Sequence, residues 1–86
     1  MKKSIAIQMD NIEKIDYEFD TSFLIGYEAQ ERDYDIFYYN PKDLFIKENT
    51  IQASGYYLEL LLDEKNYFNF KSNKIITKLE DFQFVF

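Results

Sequence analysis

Residues 4–39, SIAIQMDNIEKIDYEFDTSFLIGYEAQERDYDIFYY, decide the fold. Residues 4–9 are apolar and rich in Ile, which is typical of a buried strand. The acidic residues 10–20 predict a loop, residues 21–32 an amphipathic helix and residues 34–39 a second strand. Strand, helix and strand in this order form a βαβ unit, so we expect two parallel strands joined by a right-handed crossover.

The predicted helix has a polar start and a glycine in its interior. Three residues could serve as its N-cap: Asp20, Thr21 and Ser22. We expect Phe23, Leu24 and Tyr27 to share its apolar face. Gly26 should destabilise the helix by about 1 kcal/mol relative to Ala. We therefore expect the helix to lie close against the sheet at Gly26.

The sequence after residue 39 predicts antiparallel structure. Asn40-Pro41 predicts a turn that ends the second strand and starts a short helical turn over residues 41–44. A β-hairpin comes next, with arms at residues 44–47 and 50–62. Its turn at Glu48-Asn49 suits a positive φ at Asn49.

The last third of the chain leaves alternatives open. Residues 67–70 predict a short strand, and residues 82–86 predict a final buried strand. A domain rarely ends within an apolar strand, so residues 1–86 are either the front part of a longer protein or one complete domain with a well-docked last strand. Residues 56–62 are either an edge that pairs with another subunit or domain, or a cover for the sheet.

Composition excludes several kinds of chemistry. The 86 residues allow one small domain, with no Cys, no His, two Gly and one Pro. A Cys or His nucleophile, a Ser-His-Asp triad, a Cys/His zinc site and a disulfide framework are therefore excluded. Gly26 and Gly55 are too far apart to form a glycine-rich phosphate loop.

Charge and hydropathy bear on partners and compartment. The net charge is −6, and residues 10–35 hold nine acids against two bases. This acidity speaks against general electrostatic binding of nucleic acid. The chain has no stretch as long as a transmembrane helix and no signal peptide, so we expect no membrane partner and a cytoplasmic location.

The loop after the first strand is the strongest candidate site. In an open α/β sheet, ligands bind outside the carboxyl ends of the parallel strands. Thr21 and Ser22 at the helix N-terminus could bind an anionic group, and Asp10 and Asp20 could accept from an ammonium. The alternative interpretation is that Asp20 or Thr21 caps the helix and the other acids are solvated.

One set of residues resembles the start of prokaryotic-type glutathione synthase. The matching blocks are Met9-Asp10, Asp20-Thr21-Ser22-Phe23, Glu28-Ala29-Gln30 with Arg32 and Tyr34, and Leu79-Glu80-Asp81-Phe82. The resemblance covers nearly all of the chain but only the front part of a longer family enzyme. Asn11 replaces a Pro of the family, and Asp33 stands where a Gly usually closes the helix. Asp tolerates a left-handed φ better than most residues, so the expected fold is unchanged.

The resemblance implies an α/β, Rossmann-like pre-ATP-grasp domain that packs against an ATP-grasp domain. The family joins γ-glutamylcysteine to glycine, using ATP and Mg²⁺ to activate the dipeptide carboxyl group as an acyl phosphate. Nucleotide and metal ligands would lie in the ATP-grasp domain, so this chain alone should be inactive. Five residues become candidates to border the peptide substrate: Asp10, Asp20, Thr21, Ser22 and Phe23. Phe23 is alternatively a core residue.

Two other functions remain open beside this resemblance. The chain could be a non-catalytic binding or assembly module, including a homo-oligomer, in which residues 56–62 or the last strand pair with a partner. It could also be the front domain of another ATP-grasp peptide ligase, because the residues that set ligase specificity lie elsewhere.

Overall fold

The structure is a computed structural model that describes residues 3–14, 20–63 and 65–85. One α-helix and six strands lie along these residues. In chain order they are β1 (Ser4–Gln8), α1 (Thr21–Glu31), β2 (Asp35–Lys47), β3 (Thr50–Leu60), β4 (Phe68–Phe70), β5 (Ile75–Lys78) and β6 (Phe84–Val85). Short 3-10 turns cover Ile12–Lys14 and Leu79–Asp81.

The strands form one mixed sheet in the order β4-β3-β2-β1-β6, and β5 pairs with an earlier part of β3, on the same edge as β4. β1 runs parallel to both β2 and β6. β3 runs antiparallel to β2, β4 and β5. The α/β fold class and the parallel βαβ unit predicted from residues 4–39 are therefore confirmed.

The start of α1 follows the predicted capping chemistry. The Asp20 carboxylate accepts a hydrogen bond from the Phe23 backbone N–H at 2.8 Å, so Asp20 is the N-cap. Asp33, with φ 67°, follows the end of the helix in the left-handed region. Both assignments match the expectations from sequence.

Gly26 lies where α1 touches the sheet most closely. A Cβ atom there would stand 2.5 Å from Cδ1 of Ile7 and 2.9 Å from Cδ1 of Leu60. The expected close approach is confirmed. The expectation for Leu24 is wrong, because its side chain is 44% exposed while Phe23 and Gly26 are buried. Leu24 follows Phe23 by one position, about 100° around the helix, and so points away from the sheet.

Gln30 joins α1 to the backbone of β3. Its side-chain amide donates to the Leu60 carbonyl oxygen at 2.7 Å, and its amide oxygen accepts from the Leu60 N–H at 2.8 Å. The side chain thus satisfies both backbone groups of a strand residue. It fixes the last turn of the helix against the sheet.

The predicted turn at Asn40-Pro41 and the helical turn over residues 41–44 are wrong. β2 continues to Lys47, and the ladder shifts between the pairs Tyr39–Gly55 and Leu44–Ala53. Residues 40–43 therefore stand opposite one residue of β3 and form an irregular bulge. The bulge accommodates Pro41, since a residue outside the regular ladder needs no N–H to donate.

The β2–β3 hairpin closes through Glu48 and Asn49, with φ values of 53° and 63°. Two positive φ values in a two-residue loop match the twist of the flanking strands. The hairpin, its turn and the positive φ at Asn49 are confirmed. β2 forms a much longer first arm than residues 44–47, because it includes the predicted second strand.

Each face of the sheet carries its own hydrophobic cluster. The face under α1 buries nine residues: Ile5, Ile7, Met9, Ile12, Phe23, Ile36, Tyr38, Leu58 and Leu60. The opposite face buries Ala6, Phe37, Tyr39, Ala53 and Phe82. On this second face the rings of Phe37 and Phe82 stack at 5.2 Å between centroids.

Two expectations about exposed strands are corrected. β6 is not a buried strand, because Phe84 is 55% and Val85 45% exposed at one edge of the described sheet. Phe82, two residues before β6, packs into the core on the face opposite α1. The interpretation of residues 56–62 as an edge is also wrong, since β3 pairs with β2 on one side and with β4 and β5 on the other.

Candidate functional site

The candidate site lies where the chain leaves β1 beside the start of α1. The Met9 N–H donates to the Tyr39 carbonyl oxygen at 3.1 Å, one residue beyond the end of β1. This bond extends the parallel pairing of β1 and β2. Beyond it, an open cleft of about 410 Å³ lies between residues 8–14 and the first turn of α1. The cleft is lined by Gln8, Met9, Asp10, Asn11, Lys14, Asp20 and Ser22.

Three of the five candidate residues line this cleft. Asp10 comes from the β1 side, and Asp20 and Ser22 come from the helix side. Thr21 lies exposed in the first turn of α1 and is not among the lining residues. Phe23 is fully buried and packs edge-to-face against Tyr67, with 5.9 Å between ring centroids. The structure therefore places Phe23 in the core beneath the cleft.

The charges in the cleft have both signs. Asp10 and Asp20 contribute carboxylates, although one oxygen of Asp20 is engaged by the Phe23 N–H. Lys14 contributes a cation from the 3-10 turn, and Ser22 contributes a hydroxyl near the positive end of the α1 dipole. Such a lining complements a small ligand that carries both an ammonium and a carboxylate group.

The backbone of the loop is held by side chains from distant parts of the chain. The Ile12 N–H donates to the Tyr38 hydroxyl at 3.2 Å, and this hydroxyl donates to the Asp10 carbonyl oxygen at 3.2 Å. The Tyr67 hydroxyl donates to the Ile12 carbonyl oxygen at 2.5 Å. The Asn11 side chain accepts from the Glu13 N–H at 3.0 Å.

Sequence reasoning missed Lys14, Tyr38 and Tyr67. Lys14 could have been noticed as one of two bases in an acidic segment. Tyr38 lies near the end of the predicted second strand and is buried in the structure, where a hydroxyl needs a partner. That requirement was a usable signal, but the partner itself could not be identified without the fold.

A second, smaller cleft adjoins the bulge in β2. Its volume is about 160 Å³, and it shares Asn11 with the first cleft. It is also lined by Tyr38, Tyr39, Asn40, Lys42, Asp43, Ser54, Gly55 and Tyr56. Gly55 is required here, because a Cβ atom at this position would meet the backbone oxygen of Tyr38. Both clefts thus lie toward the carboxyl ends of the parallel residues of β1 and β2.

Within residues 3–14, 20–63 and 65–85, no three acidic side chains come together as metal ligands would. Over the same ranges, no helix has the length and apolar character needed to cross a membrane.

Known proteins resemble this chain over nearly its whole length. A family model for the N-terminal domain of prokaryotic glutathione synthetase matches residues 3–86. The glutathione synthetase of Wigglesworthia glossinidia brevipalpis is 36% identical over 76 residues, 88% of this chain and 24% of that protein. The glutathione synthetase of Mesorhizobium japonicum is 33% identical over 85 residues, 99% of this chain and 27% of that protein.

A third relative, the glutathione synthetase of Vibrio cholerae, is 34% identical over 76 residues, 88% of this chain and 24% of that protein. The chain thus spans about a quarter of the length of the curated relatives it matches. The family match takes in β1, the cleft, the bulge and every strand described above. The chain therefore belongs to the family of N-terminal domains of prokaryotic glutathione synthetase.

Proposed function

We propose that this chain is the substrate-side domain of an ATP-dependent ligase that joins γ-glutamylcysteine to glycine. Family membership supports the reaction class, because the matched relatives are glutathione synthetases. The observation that carries the role of this domain is the cleft of mixed charge between the end of β1 and the start of α1. Its lining suits a peptide whose end carries both a free ammonium group and a free carboxylate group.

The proposal gives the cleft residues separate roles. Asp10 and the free oxygen of Asp20 accept hydrogen bonds from the peptide ammonium group. Ser22 and Lys14 bind a peptide carboxylate, assisted by the N-terminal dipole of α1. Thr21 borders the substrate from the first turn of α1, and Phe23 supports that turn from the core.

The described residues do not fit ATP and Mg²⁺. They bring together no acidic metal cluster, and both glycines are packed closely against other residues instead of forming a phosphate loop. We therefore assign nucleotide and metal binding to an ATP-grasp domain in another part of the protein. On this proposal the 86-residue chain alone has no ligase activity.

The test compares the full-length protein with the 86-residue chain. ADP release is measured with γ-glutamylcysteine and glycine, and with other γ-glutamyl or amino acid pairs. The full-length protein should release ADP only with γ-glutamylcysteine and glycine, while the chain alone stays inactive. Activity only with a different pair would instead support another ATP-grasp peptide ligase. Activity of the chain alone would contradict the division of roles.

The same activity measurement on variants tests where the dipeptide binds. Asp10→Asn should raise KM for the dipeptide about 10-fold, the size expected for one charged hydrogen bond. Asp33→Asn is the matched control, because it removes the same charge at the opposite end of α1 and Asn also accepts a positive φ. Equal KM values for the dipeptide in both variants would show that Asp10 does not contact the substrate.

The exposed edge at β6 favours one second candidate, a non-catalytic assembly module. Phe84 and Val85, the two residues of β6, are about half exposed, and among the described strands β6 pairs with β1. An apolar edge of this kind can pair with a second copy of the chain. Light scattering of the purified chain over a range of concentrations separates the cases, since a monomer throughout would contradict self-assembly.

A further inference from the structure

The loop that forms one wall of the larger cleft depends on two tyrosines. After Met9 the chain leaves the sheet, and both backbone groups of Ile12 are bound by phenol hydroxyls. Its N–H donates to Tyr38 at 3.2 Å, and its carbonyl oxygen accepts from Tyr67 at 2.5 Å. Tyr38 also donates to the Asp10 carbonyl oxygen at 3.2 Å. We call this pair, Tyr38 and Tyr67, the tyrosine bracket.

The bracket holds a buried residue, Ile12, within a turn whose other residues are exposed. The Ile12 side chain is 1% exposed, and its hydrogen bond to Tyr38 is buried. A backbone group in such a place is unfavourable without a partner. Among the described residues, no strand pairs with residues 10–14, so the hydroxyls provide the bonds that a ladder would give elsewhere.

Both rings are themselves fixed by packing. Tyr38 is part of the cluster under α1, between parallel and antiparallel neighbours of β2. Tyr67 contacts Phe23 edge-to-face and packs against Phe68 at 5.2 Å between ring centroids. Because packing restricts both rings, their hydroxyl groups are held in place.

The protonation of Tyr67 suits this role. Burial of the ring, and secondarily the negative charge of Glu13, raises the pKa of Tyr67 above its ordinary value of 10.0. At neutral pH its hydroxyl keeps its proton, as a tyrosine with the ordinary pKa of 10.0 also would, and the raised pKa extends this to more alkaline solution. It can donate continuously to the Ile12 carbonyl oxygen.

We propose that Tyr38 and Tyr67 are positioning residues that hold Asp10 and Asn11 at the substrate cleft, opposite the start of α1. This inference rests on the proposed function, because it assigns substrate contact to the Asp10 wall. The bracket touches no substrate. It acts by fixing the distance between the β1 side of the cleft, with Asp10, and the helix side, with Asp20 and Ser22.

The experiment uses the full-length protein with Tyr38→Phe, Tyr67→Phe and the double variant. Tyr57→Phe is the matched control, because Tyr57 packs on the opposite face of the sheet and lines neither cleft. Each bracket variant should raise KM for γ-glutamylcysteine about 5- to 10-fold, the size of one or two hydrogen bonds. KM for ATP and kcat should stay within about twofold of wild type.

Amide hydrogen exchange gives a second readout that does not depend on catalysis. In Tyr38→Phe the Ile12 amide should exchange about 10-fold faster or more, because it has lost its acceptor. The amides that join β1 to β2 should keep their protection. In Tyr57→Phe the Ile12 amide should exchange as in wild type.

The outcomes separate this inference from the proposed function. A wild-type protein that shows no ligase activity overturns the proposed function, and Ile12 exchange then still decides whether the bracket fixes the loop. An active wild type with unchanged dipeptide KM in both bracket variants overturns the positioning role. Equal increases in KM for dipeptide and ATP, with faster exchange throughout β1, would show general loss of structure and also overturn it.

Discussion

The two halves of β2 differ sharply in burial, and each half belongs to a different region of the molecule. The first half, Ile36 to Tyr39, is buried on both faces beside β1 and β3, whereas Ile46 beyond the bulge is 75% exposed. The parallel half of the domain, which consists of β1, α1, β6 and the part of β2 before the bulge, carries most of both cores together with the part of β3 that pairs with it. The antiparallel hairpin beyond the bulge extends from it with exposed apolar residues. Stability should therefore be concentrated in the parallel half, and the larger cleft lies on its carboxyl edge.

The strongest test of this contrast compares two isoleucines. Ile7→Ala should lower the free energy of unfolding by about 3 to 4 kcal/mol, because Ile7 is 0% exposed and contacts the sheet side of Gly26. Ile46→Ala in the hairpin should change it by less than about 0.5 kcal/mol. Urea unfolding of the chain measures both values. Similar losses at the two positions would show that the hairpin belongs to the cooperative core.

A second comparison removes amide side chains. Gln30→Ala should lower the free energy of unfolding by about 2 kcal/mol, since it leaves the Leu60 N–H and carbonyl without their partners. Gln52→Ala in the hairpin removes one long bond of 3.4 Å to Lys47 and should cost less than about 0.5 kcal/mol. The same unfolding experiment measures both variants. An unchanged free energy of unfolding in Gln30→Ala would mean that water replaces the hydrogen bonds of the amide.

A third comparison separates capping from charge at the start of α1. Asp20→Ala should destabilise the chain by about 1 kcal/mol, because the Phe23 N–H loses its acceptor. Asp20→Asn should keep most of the stability, since Asn is an equally good N-cap. In the full-length protein both variants should weaken dipeptide binding. Full activity of Asp20→Asn would restrict Asp20 to its capping role.

The smallest expected effect is on alkaline stability. Burial raises the pKa of Tyr39 above its ordinary value of 10.0, so the folded state favours the neutral phenol. This stabilisation is complete below pH 10.0, and it is lost as the pH rises through the raised pKa of the folded state. Tyr39→Phe should therefore lose less stability between pH 9 and pH 11 than wild type, measured by urea unfolding against pH. A steeper loss in Tyr39→Phe would contradict the assigned direction.

Much of the parallel half could be predicted from sequence, because its signals are local. The Ile-rich run of β1, the acceptor at Asp20 and Gly26 in the helix each lead to one arrangement. The two-residue turn at Glu48-Asn49 was equally direct. Each of these features depends on residues that are close together in the sequence.

The bulge and the edge could not be predicted in the same way. Asn40-Pro41 is a turn signal, but pairing with β3 on the far side of the hairpin continues the strand through it. Phe84 and Val85 have apolar side chains, but their exposure depends on which elements cover the end of the sheet. In both cases long-range pairing outweighs the local pattern.

The site was predictable only in part. The position of the loop after β1 led to Asp10, Asp20 and Ser22, which line the cleft. Phe23 is in the core, because the third residue after the N-cap turns toward the sheet. Tyr67 is 55 residues away from its partner Ile12, so no spacing in the sequence could indicate that bond.

Our proposal that the peptide substrate binds between the end of β1 and the start of α1 can be tested by amide hydrogen exchange of the full-length protein, with and without γ-glutamylcysteine. We expect added protection at residues 9–14 and 20–23 and none at residues 44–53. Ligase activity accompanied by protection at residues 44–53, or by no protection at residues 9–14 and 20–23, would contradict it.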